Sequence, residues 1–281
     1  MVVNKEKCIF TDKNIVLMAV SGNLHTIQEN HAIKEAVLSF TITPQIVNPN
    51  NYATLLNEGG PLYNRYHKFE PVKLREVKVE TGLNTTTYDS IKDAGFKMIA
   101  FRNGCTSEVI QGLSQPRQSL LTFNTVNYVG WHKFSSESID SARIIATFQP
   151  IYIVKAFSLM FIDEFYFEND KDYTPQLLFN LDSRNLPKGI EDSDFVDYNL
   201  NLHRHCENKN FLENISIKVF NEGSKKTIRI TENITFIINP IPLVEILNAP
   251  DLCDYLNFIH QENKNTLKDI LASDISKIIK L

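Results

Sequence analysis

The longest apolar segment of the chain covers residues 151–167, with the sequence IYIVKAFSLMFIDEFYF. Apolar side chains occupy both alternating registers of this segment, and Lys155, Asp163 and Glu164 are its only charges. Because side chains of a strand alternate between two faces, a strand that is apolar in both registers is expected to be covered on both faces. The pattern therefore predicts a central strand of a sheet, with its charges marking the strand ends.

Alternation of apolar and polar residues predicts eight further strands. One register of the first strand is entirely apolar and predicts a buried face: Ala36, Leu38, Phe40 and Ile42. Asn103-Gly104 is typical of a tight hairpin turn, because both residues tolerate positive φ. The eight strands are predicted at residues 32–42, 74–81, 96–103, 106–113, 119–127, 195–205, 215–221 and 227–239.

Two long helices are predicted by apolar residues at helical spacing. The first covers 135–149, with Ser135 as its N-cap and a buried stripe formed by Ile139, Ala142, Ile145 and Ala146. The second begins near Asn248, and its apolar seam is formed by Leu252, Tyr255, Leu256, Ile259, Leu267, Ile270 and Leu271. A short helix with a break is predicted within 51–66.

The order strand, helix, strands, helix occurs twice along the chain, with one strand fewer the second time. This order predicts an α+β protein with a largely antiparallel sheet and two related halves, arranged like a saddle or as a sheet that grips a helix. Residues 1–30 are interpreted as an N-terminal extension with a strand and a polar connection. The first half is assigned to 31–150, and the second half, 151–281, is expected to pack closely on it.

Composition narrows the classes of function. The net charge of -4 and the pI near 6.0 give no general attraction to nucleic acid, although a local basic patch would not show in these averages. The four cysteines are far apart and form no CxxC pair, and no signal peptide or membrane anchor is recognised. The sequence therefore favours a cytoplasmic protein that does not bind a membrane.

Candidate chemistry is sparse. His203 and His205 share one register of a predicted strand, as a metal-binding pair can, but the pair lacks an evident third ligand, and no metal is predicted. Asp163 and Glu164 are adjacent and point to opposite faces, so they cannot form a catalytic pair that shares a proton. They are instead expected to meet water or cations where the strand reaches the sheet edge. Trp131 can contact a partner or anchor the packing before the first long helix.

No phosphate-binding, dinucleotide-binding, GxSxG or HExxH motif occurs, and Cys105 has no histidine near it in sequence. No catalytic residue and no cofactor are predicted, so the sequence favours a non-enzymatic protein. The candidate contacts for a partner or a ligand are Trp131, Met160, Asp163, Glu164, His203 and His205.

An ordered set of short features resembles a family of bacterial proteins. The features are Ile-Lys-Glu-Ala-Val at 33–37, Gly95-Phe96, the spacing of Tyr128, Trp131 and Phe134, the segment 151–167, and Ile259-His260. Over residues 31–275 the chain is similar to a sporadically distributed, uncharacterised family of 250 to 280 residues. The family pattern has an Arg-Tyr-x-Asn-Arg run where this chain has residues 160–164, so no role of those arginines is transferred.

The sporadic occurrence of such a family implies an accessory role in a bacterial system, such as phage defence or a toxin system. We therefore expect a non-catalytic subunit that binds another protein, with the loops of 168–194 as the contact surface. Two alternatives stay open: a ligand-binding module with a cavity between the sheet and the C-terminal helix, and a nucleic-acid-binding sheet face.

Overall fold

The computed structural model describes residues 24–28, 31–80, 86–169, 171, 173–190, 198–206 and 211–281. Within these ranges, the side chains of 75–80, 86–92, 198–201, 203 and 205–206 lie outside the description. The strands are β1 Leu24–Thr26, β2 Ile33–Thr43, β3 Lys68–Glu80, β4 Thr86–Arg102, β5 Cys105–Gln115, β6 Gln118–Thr125, β7 Ile153–Phe167, β8 Tyr198–Cys206, β9 Phe211–Glu222 and β10 Lys225–Pro242. The helices are α1 Trp131–Phe148, α2 Pro175–Leu178, α3 Leu243–Asn248, α4 Pro250–Ile270 and α5 Ser273–Ile278, and a 3-10 helix covers Pro49–Leu56.

All ten strands belong to one antiparallel sheet. The order across the sheet is β3, β4, β5, β6, β2, β7, β10, β9, β8, and β1 pairs with the end of β7. The first strand of each half, β2 or β7, pairs with the last strand of the same half, β6 or β10, and β2 and β7 pair with each other at the centre. The predicted α+β class, the antiparallel sheet and the two related halves are therefore confirmed.

The prediction for β7 was right about its central position and wrong about its coverage. Phe157, Leu159 and Phe161 are about 1% exposed, whereas the alternate residues Ala156 and Ser158 are partly exposed. The helices of the described ranges pack on one face, and among the described residues the second apolar register of β7 is shielded mainly by side chains of the neighbouring strands. We call the two sides of the sheet the covered face and the uncovered face.

The covered face carries two apolar clusters. The larger cluster joins β2, β6, β7, α1 and the first half of α4, so it contains residues from both sides of residue 150. The smaller cluster lies at the second end of the sheet and includes the ends of β7, β9 and β10 together with α5. The predicted apolar face of β2 lies in the larger cluster, and so does the predicted stripe of α1.

Both long helices begin at positions other than those predicted. Helix α1 begins at Trp131, after a turn at Gly130 with φ 155°, and Ser135 lies inside the helix with its hydroxyl bonded to the His132 carbonyl. The Asn248 side-chain amide bonds the Val244 carbonyl in α3, so α4 starts only at Pro250. In each case, a helical turn precedes the capping residue that the sequence suggested.

The connection after β7 packs inward. Leu178, Phe179 and Ile190 are buried in the smaller apolar cluster, and the Ser183 and Asn185 side chains bond the Asp269 carboxylate of α4. The buried apolar residues of this connection therefore fill the space beneath α4 and α5, whereas most of its described polar residues are exposed. The expectation that 168–194 forms a contact surface stays a prediction. Residues 191–194 lie outside the described residues.

The tight turns agree with the sequence. Asn103 and Gly104 both have positive φ between β4 and β5, and Gly223 has positive φ between β9 and β10. Of residues 1–30, only 24–28 are described and contain β1, so the strand expected in the earlier part of this segment lies outside the described residues. Among the helices of the described ranges, none combines the length and the apolar character needed to cross a bilayer.

The sheet is unusually close-packed at Gly95 in β4. A Cβ atom at this position would lie 1.9 Å from the Gly112 carbonyl oxygen of β5. We therefore expect Gly95→Ala to lower the free energy of unfolding by about 1–3 kcal/mol, because backbone must move to admit the methyl group. Urea denaturation measures the effect, with Lys97→Ala in the same strand as the control. Equal stability of the two variants would contradict this packing.

Candidate functional site

The structure separates the six candidate contacts. Met160 and Glu164 lie on the uncovered face, and Asp163 and Trp131 lie on the side where the helices pack. His203 and His205 are in β8, opposite Asn214 and Leu212 of β9, and their side chains lie outside the described residues. Among the side chains that the structure describes, His, Cys, Asp and Glu form no group of three or more suited to hold a metal ion.

The central part of the uncovered face is uncharged. Six strands are adjacent in the sheet in the order β5, β6, β2, β7, β10 and β9. Twenty neighbouring positions on the uncovered face of these strands carry no Asp, Glu, Lys or Arg. At the overall charged fraction of 22%, four or five of them would be charged. We call this surface the neutral field; its residues are Val37, Ser39, Thr41, Val109, Gln111, Leu113, Leu120, Thr122, Asn124, Ala156, Ser158, Met160, Ile162, Leu212, Asn214, Ser216, Thr231, Asn233, Thr235 and Ile237.

Charged residues border the field on the uncovered face. Glu35 accepts a hydrogen bond from the Asn124 amide, Lys218 lies opposite Arg229 in the strand register, and Glu164 forms ion pairs. Lys34 lies 2.8 Å from one Glu164 oxygen, and Arg229 lies 2.6 Å from the other. Arg229 also lies over the Phe220 ring, 5.2 Å from its centroid. Glu164 therefore meets cations, as the sequence suggested, and the ion pairs leave it with a side chain that is only 5% exposed.

Asp163 differs from its neighbour. Its side chain is on the covered face, where the residue is 1% exposed, and its Oδ2 atom has no hydrogen-bond partner among the described residues. The expectation that this carboxylate meets water or a cation at the sheet edge is wrong, because β7 is central and α4 lies over this part of it. Burial raises the pKa of Asp163 to about 7, and contact with the Asn263 amide only partly offsets this effect.

Asp163 begins a diagonal row of three buried acids. Asp163 of β7 is opposite Ile230 of β10, and Glu232 lies two residues after Ile230. Glu213 of β9 is opposite Ile234 of β10, which lies two residues after Glu232. Positions related in this way are diagonal neighbours on one face of a sheet. We call Asp163, Glu232 and Glu213 the acid row.

Two polar residues of α4 and one arginine of β8 contact the acid row. The Asn263 amide donates to Glu232 at 2.8 Å, and the Thr266 hydroxyl donates to Glu213 at 3.4 Å. Arg204 lies opposite Glu213 and forms an ion pair with it at 2.5 Å. Burial, followed by the hydrogen bond with Glu213, raises the pKa of Glu232 to about 8. Arg204 therefore pairs with one of the three carboxyl groups, and the other two hold their protons more tightly than usual.

Sequence reasoning missed Glu213, Glu232, Asn263 and Arg204, although a signal was present. Each acid of the row interrupts an otherwise apolar register: Phe161-x-Asp163-x-Phe165, Ile230-x-Glu232-x-Ile234 and Phe211-x-Glu213-x-Ile215. In the same way, Asn263 occupies the buried seam of α4 between Ile259 and Leu267. A polar residue in a buried register requires a partner, so these interruptions point to one another.

Trp131 packs against the middle of α4, near Asp163. Its ring stacks on the His260 imidazole with centroids 4.6 Å apart, and its indole nitrogen donates to Asn257 at 2.7 Å. The tryptophan thus connects the first turn of α1 to α4 and borders a pocket that Asp163 also lines.

Comparison of the chain with protein-family models, curated proteins and solved structures finds no match in any of the three. The resemblance to a sporadically distributed bacterial family therefore stays a prediction.

Proposed function

We propose that the protein acts as a non-catalytic binding subunit and that the neutral field holds a partner protein. The observation that carries the proposal is the absence of charge over twenty positions of an uncovered sheet face. Solvated sheet faces carry charged side chains, whereas the centre of a protein interface is depleted of them and is bordered by polar residues. The paired charges around Glu164 fit such a border.

The dimensions of the neutral field suit a protein partner. Six strands span about 25 Å across the sheet, and seven residues span about 20 Å along a strand. The resulting footprint of about 500 Å² matches the larger surface patches that serve binding, and two such faces approach the roughly 1,000 Å² of a specific interface. Threonine, serine and asparagine side chains offer hydrogen bonds, while Met160, Ile162 and Ile237 offer apolar contact.

The chemistry of the field favours protein over nucleic acid. Binding of a nucleic acid depends mainly on lysine and arginine contacts to phosphates. The field contains neither residue, and Arg229 at its border is already paired with Glu164. The expected partner therefore presents a neutral surface of mixed apolar and hydrogen-bonding groups. The proposal includes that this chain belongs to a bacterial accessory system, as the family resemblance implies.

The proposal is tested by placing one charge at the centre of the field. Ser158 lies opposite Ser39 of β2 and Thr235 of β10, so Ser158→Lys should reduce capture of the partner at least about tenfold by burying an unpaired ammonium group. The control is Ser136→Lys, the same change on the exposed side of α1. Capture is measured by quantitative mass spectrometry of proteins retained by each tagged form from its own cell extract.

The expected result is a protein that the wild type and Ser136→Lys retain and Ser158→Lys does not, with equal melting temperatures for all three forms. Cross-links from that protein to the neutral field would support the assignment further. A protein retained equally by all three forms would contradict it. Self-association that Ser158→Lys abolishes would also contradict it, because the occupant would then be a second copy of the chain.

A further inference from the structure

A pocket of about 220 Å³ lies on the other side of the sheet, between β7 and α4. The residues before β2, the first turn of α1, Asp163 of β7, the middle of α4 and the residues after α5 form its walls. The polar and aromatic side chains of the lining are those of His31, Tyr128, Trp131, Asp163, His260, Asn263, Lys264 and Lys280. The pocket is on the covered face and does not share a residue with the neutral field.

Asp163 supplies a buried carboxyl group that has no ion pair among the described residues. Glu164, the next residue, has both Lys34 and Arg229 as ion-pair partners on the uncovered face. The described residues contain no ion pair to Asp163, and its Oδ2 atom accepts no hydrogen bond there. An unpaired carboxylate in a buried position costs several kcal/mol, and a cationic group that enters the pocket would recover this cost.

A second acceptor lies in the same pocket. The Nε2 atom of His31 is 2.9 Å from the Tyr128 carbonyl oxygen, and a carbonyl can only accept a hydrogen bond. Nε2 therefore carries the proton of the neutral imidazole, and Nδ1 is left as an acceptor. This Nδ1 atom also has no partner among the described residues. A carboxylate and an imidazole acceptor together suit the three N–H donors of an ammonium group.

The remaining lining limits the rest of the ligand. The stacked rings of Trp131 and His260 form an aromatic wall that suits aliphatic carbon or the face of a cation. Lys264 lines the same pocket. Burial is the main cause that lowers the pKa of His260 to about 4, and the positive charge of Lys264 is the second cause. An ammonium ion alone would be repelled by this lysine, whereas a carboxylate on the same molecule would be attracted.

We propose that this pocket binds a small zwitterionic amine of the α-amino-acid type, with its ammonium group at Asp163 and His31 and its carboxylate at Lys264. The aliphatic part of the ligand lies against Trp131. This inference goes beyond the proposed partner binding and does not depend on it, because the two sites lie on opposite faces of the sheet.

Fluorescence of Trp131 reports on this pocket directly, because it is the only tryptophan in the chain. Three probes of matched shape separate the contributions: L-leucine, 3-methylbutylamine, which lacks the carboxylate, and 4-methylpentanoate, which lacks the ammonium group. We expect a saturable change with L-leucine below about 10 mM, weaker binding of the amine and no binding of the acid.

Variants assign the contacts. Asp163→Asn should weaken L-leucine binding at least about tenfold, because a charge-assisted hydrogen bond is lost, whereas Glu164→Gln makes the same chemical change on the opposite face and should leave binding unchanged. Lys264→Met should remove the preference for L-leucine over 3-methylbutylamine. Nuclear magnetic resonance spectra of each variant check that the fold is retained. The proposal is overturned if none of the probes gives a saturable change, if 4-methylpentanoate binds as well as L-leucine, or if Asp163→Asn binds L-leucine like the wild type.

Discussion

Replacement of Arg204 by methionine should lower the free energy of unfolding by about 3 kcal/mol, because it leaves a buried carboxylate without its cation. Arg204 donates to Glu213 at 2.5 Å and to the Asn185 side-chain carbonyl at 2.8 Å. The Glu213 side chain is 5% exposed, so its carboxylate depends mainly on the arginine and not on water for compensation of its charge. Methionine keeps most of the aliphatic volume, which limits the change to charge and hydrogen bonding.

Two comparisons make this prediction specific. Arg143→Met removes an arginine whose ion pair with Asp140 is largely exposed, and it should cost less than about 1 kcal/mol. Glu213→Gln introduced beside Arg204→Met should restore much of the lost stability, because it removes the unpaired charge. Urea denaturation at pH 7 of the wild type, Arg204→Met, Glu213→Gln and the double variant gives the coupling energy of the pair. Additive effects of the two substitutions would show that the pair is not coupled.

The architecture was accessible from sequence where the signal is local. The alternation in β2, the Asn103-Gly104 turn and the seam of α4 each depend on residues close in the chain, and the structure has all three. The coverage of β7 was not accessible in this way. Both registers of 153–167 contain apolar residues, and only the distant helices decide which face they bury.

For the candidate site too, the sequence indicates features that depend on nearby residues but not those that depend on strand pairing. The interruptions of the apolar registers by Asp163, Glu232 and Glu213 can be read from the sequence as a need for partners. Their arrangement as one diagonal row depends on the register of β7, β10 and β9, which the sequence does not reveal. The sequence also gives no reason why the Lys34 and Arg229 side chains reach Glu164 and not Asp163.

Glu164 and Asp163 are adjacent in sequence but differ in whether their carboxylate oxygens have partners among the described residues. Glu164 has its charge neutralised within the protein, so it stabilises the border of the neutral field without offering a free group. Asp163 keeps an unpartnered oxygen beside a pocket, so its charge is available to a ligand at a cost in stability. Groups retained in unfavourable positions of this kind are frequent at functional sites.

The acid row should make the protein less stable as the pH rises above neutrality. In the unfolded chain, Asp163 and Glu232 have ordinary carboxyl pKa values near 4, whereas in the folded protein the values are about 7 and about 8. Over the interval between these values the folded state binds more protons than the unfolded state, so the free energy of unfolding falls as pH increases. We expect a loss of about 2–3 kcal/mol between pH 6.5 and pH 8.5.

The interval is chosen to isolate the two acids. The other titratable or charged groups described around them are Glu213, Arg204, His31, Tyr128, His260, Lys264 and Lys280. Burial lowers the pKa of His260 to about 4 from its ordinary value of 6.5. The effect on stability is opposite to that of the acids, because the free energy of unfolding rises with pH between these two values. At pH 6.5 the histidine of the unfolded chain is half protonated, so above this pH His260 offsets only about 0.4 kcal/mol of the decline.

Neutral replacements test the origin of this loss. Glu232→Gln should remove most of the decline between pH 6.5 and pH 8.5, and the further change Asp163→Asn should remove nearly all of it, because neither amide titrates. At pH 8.5 the double variant should then be more stable than the wild type, whereas Asp140→Asn, on the exposed side of α1, should leave the decline as it is. Urea denaturation across this pH interval measures all four proteins. A decline of equal size in the double variant would show that the acid row does not hold its protons in the folded state.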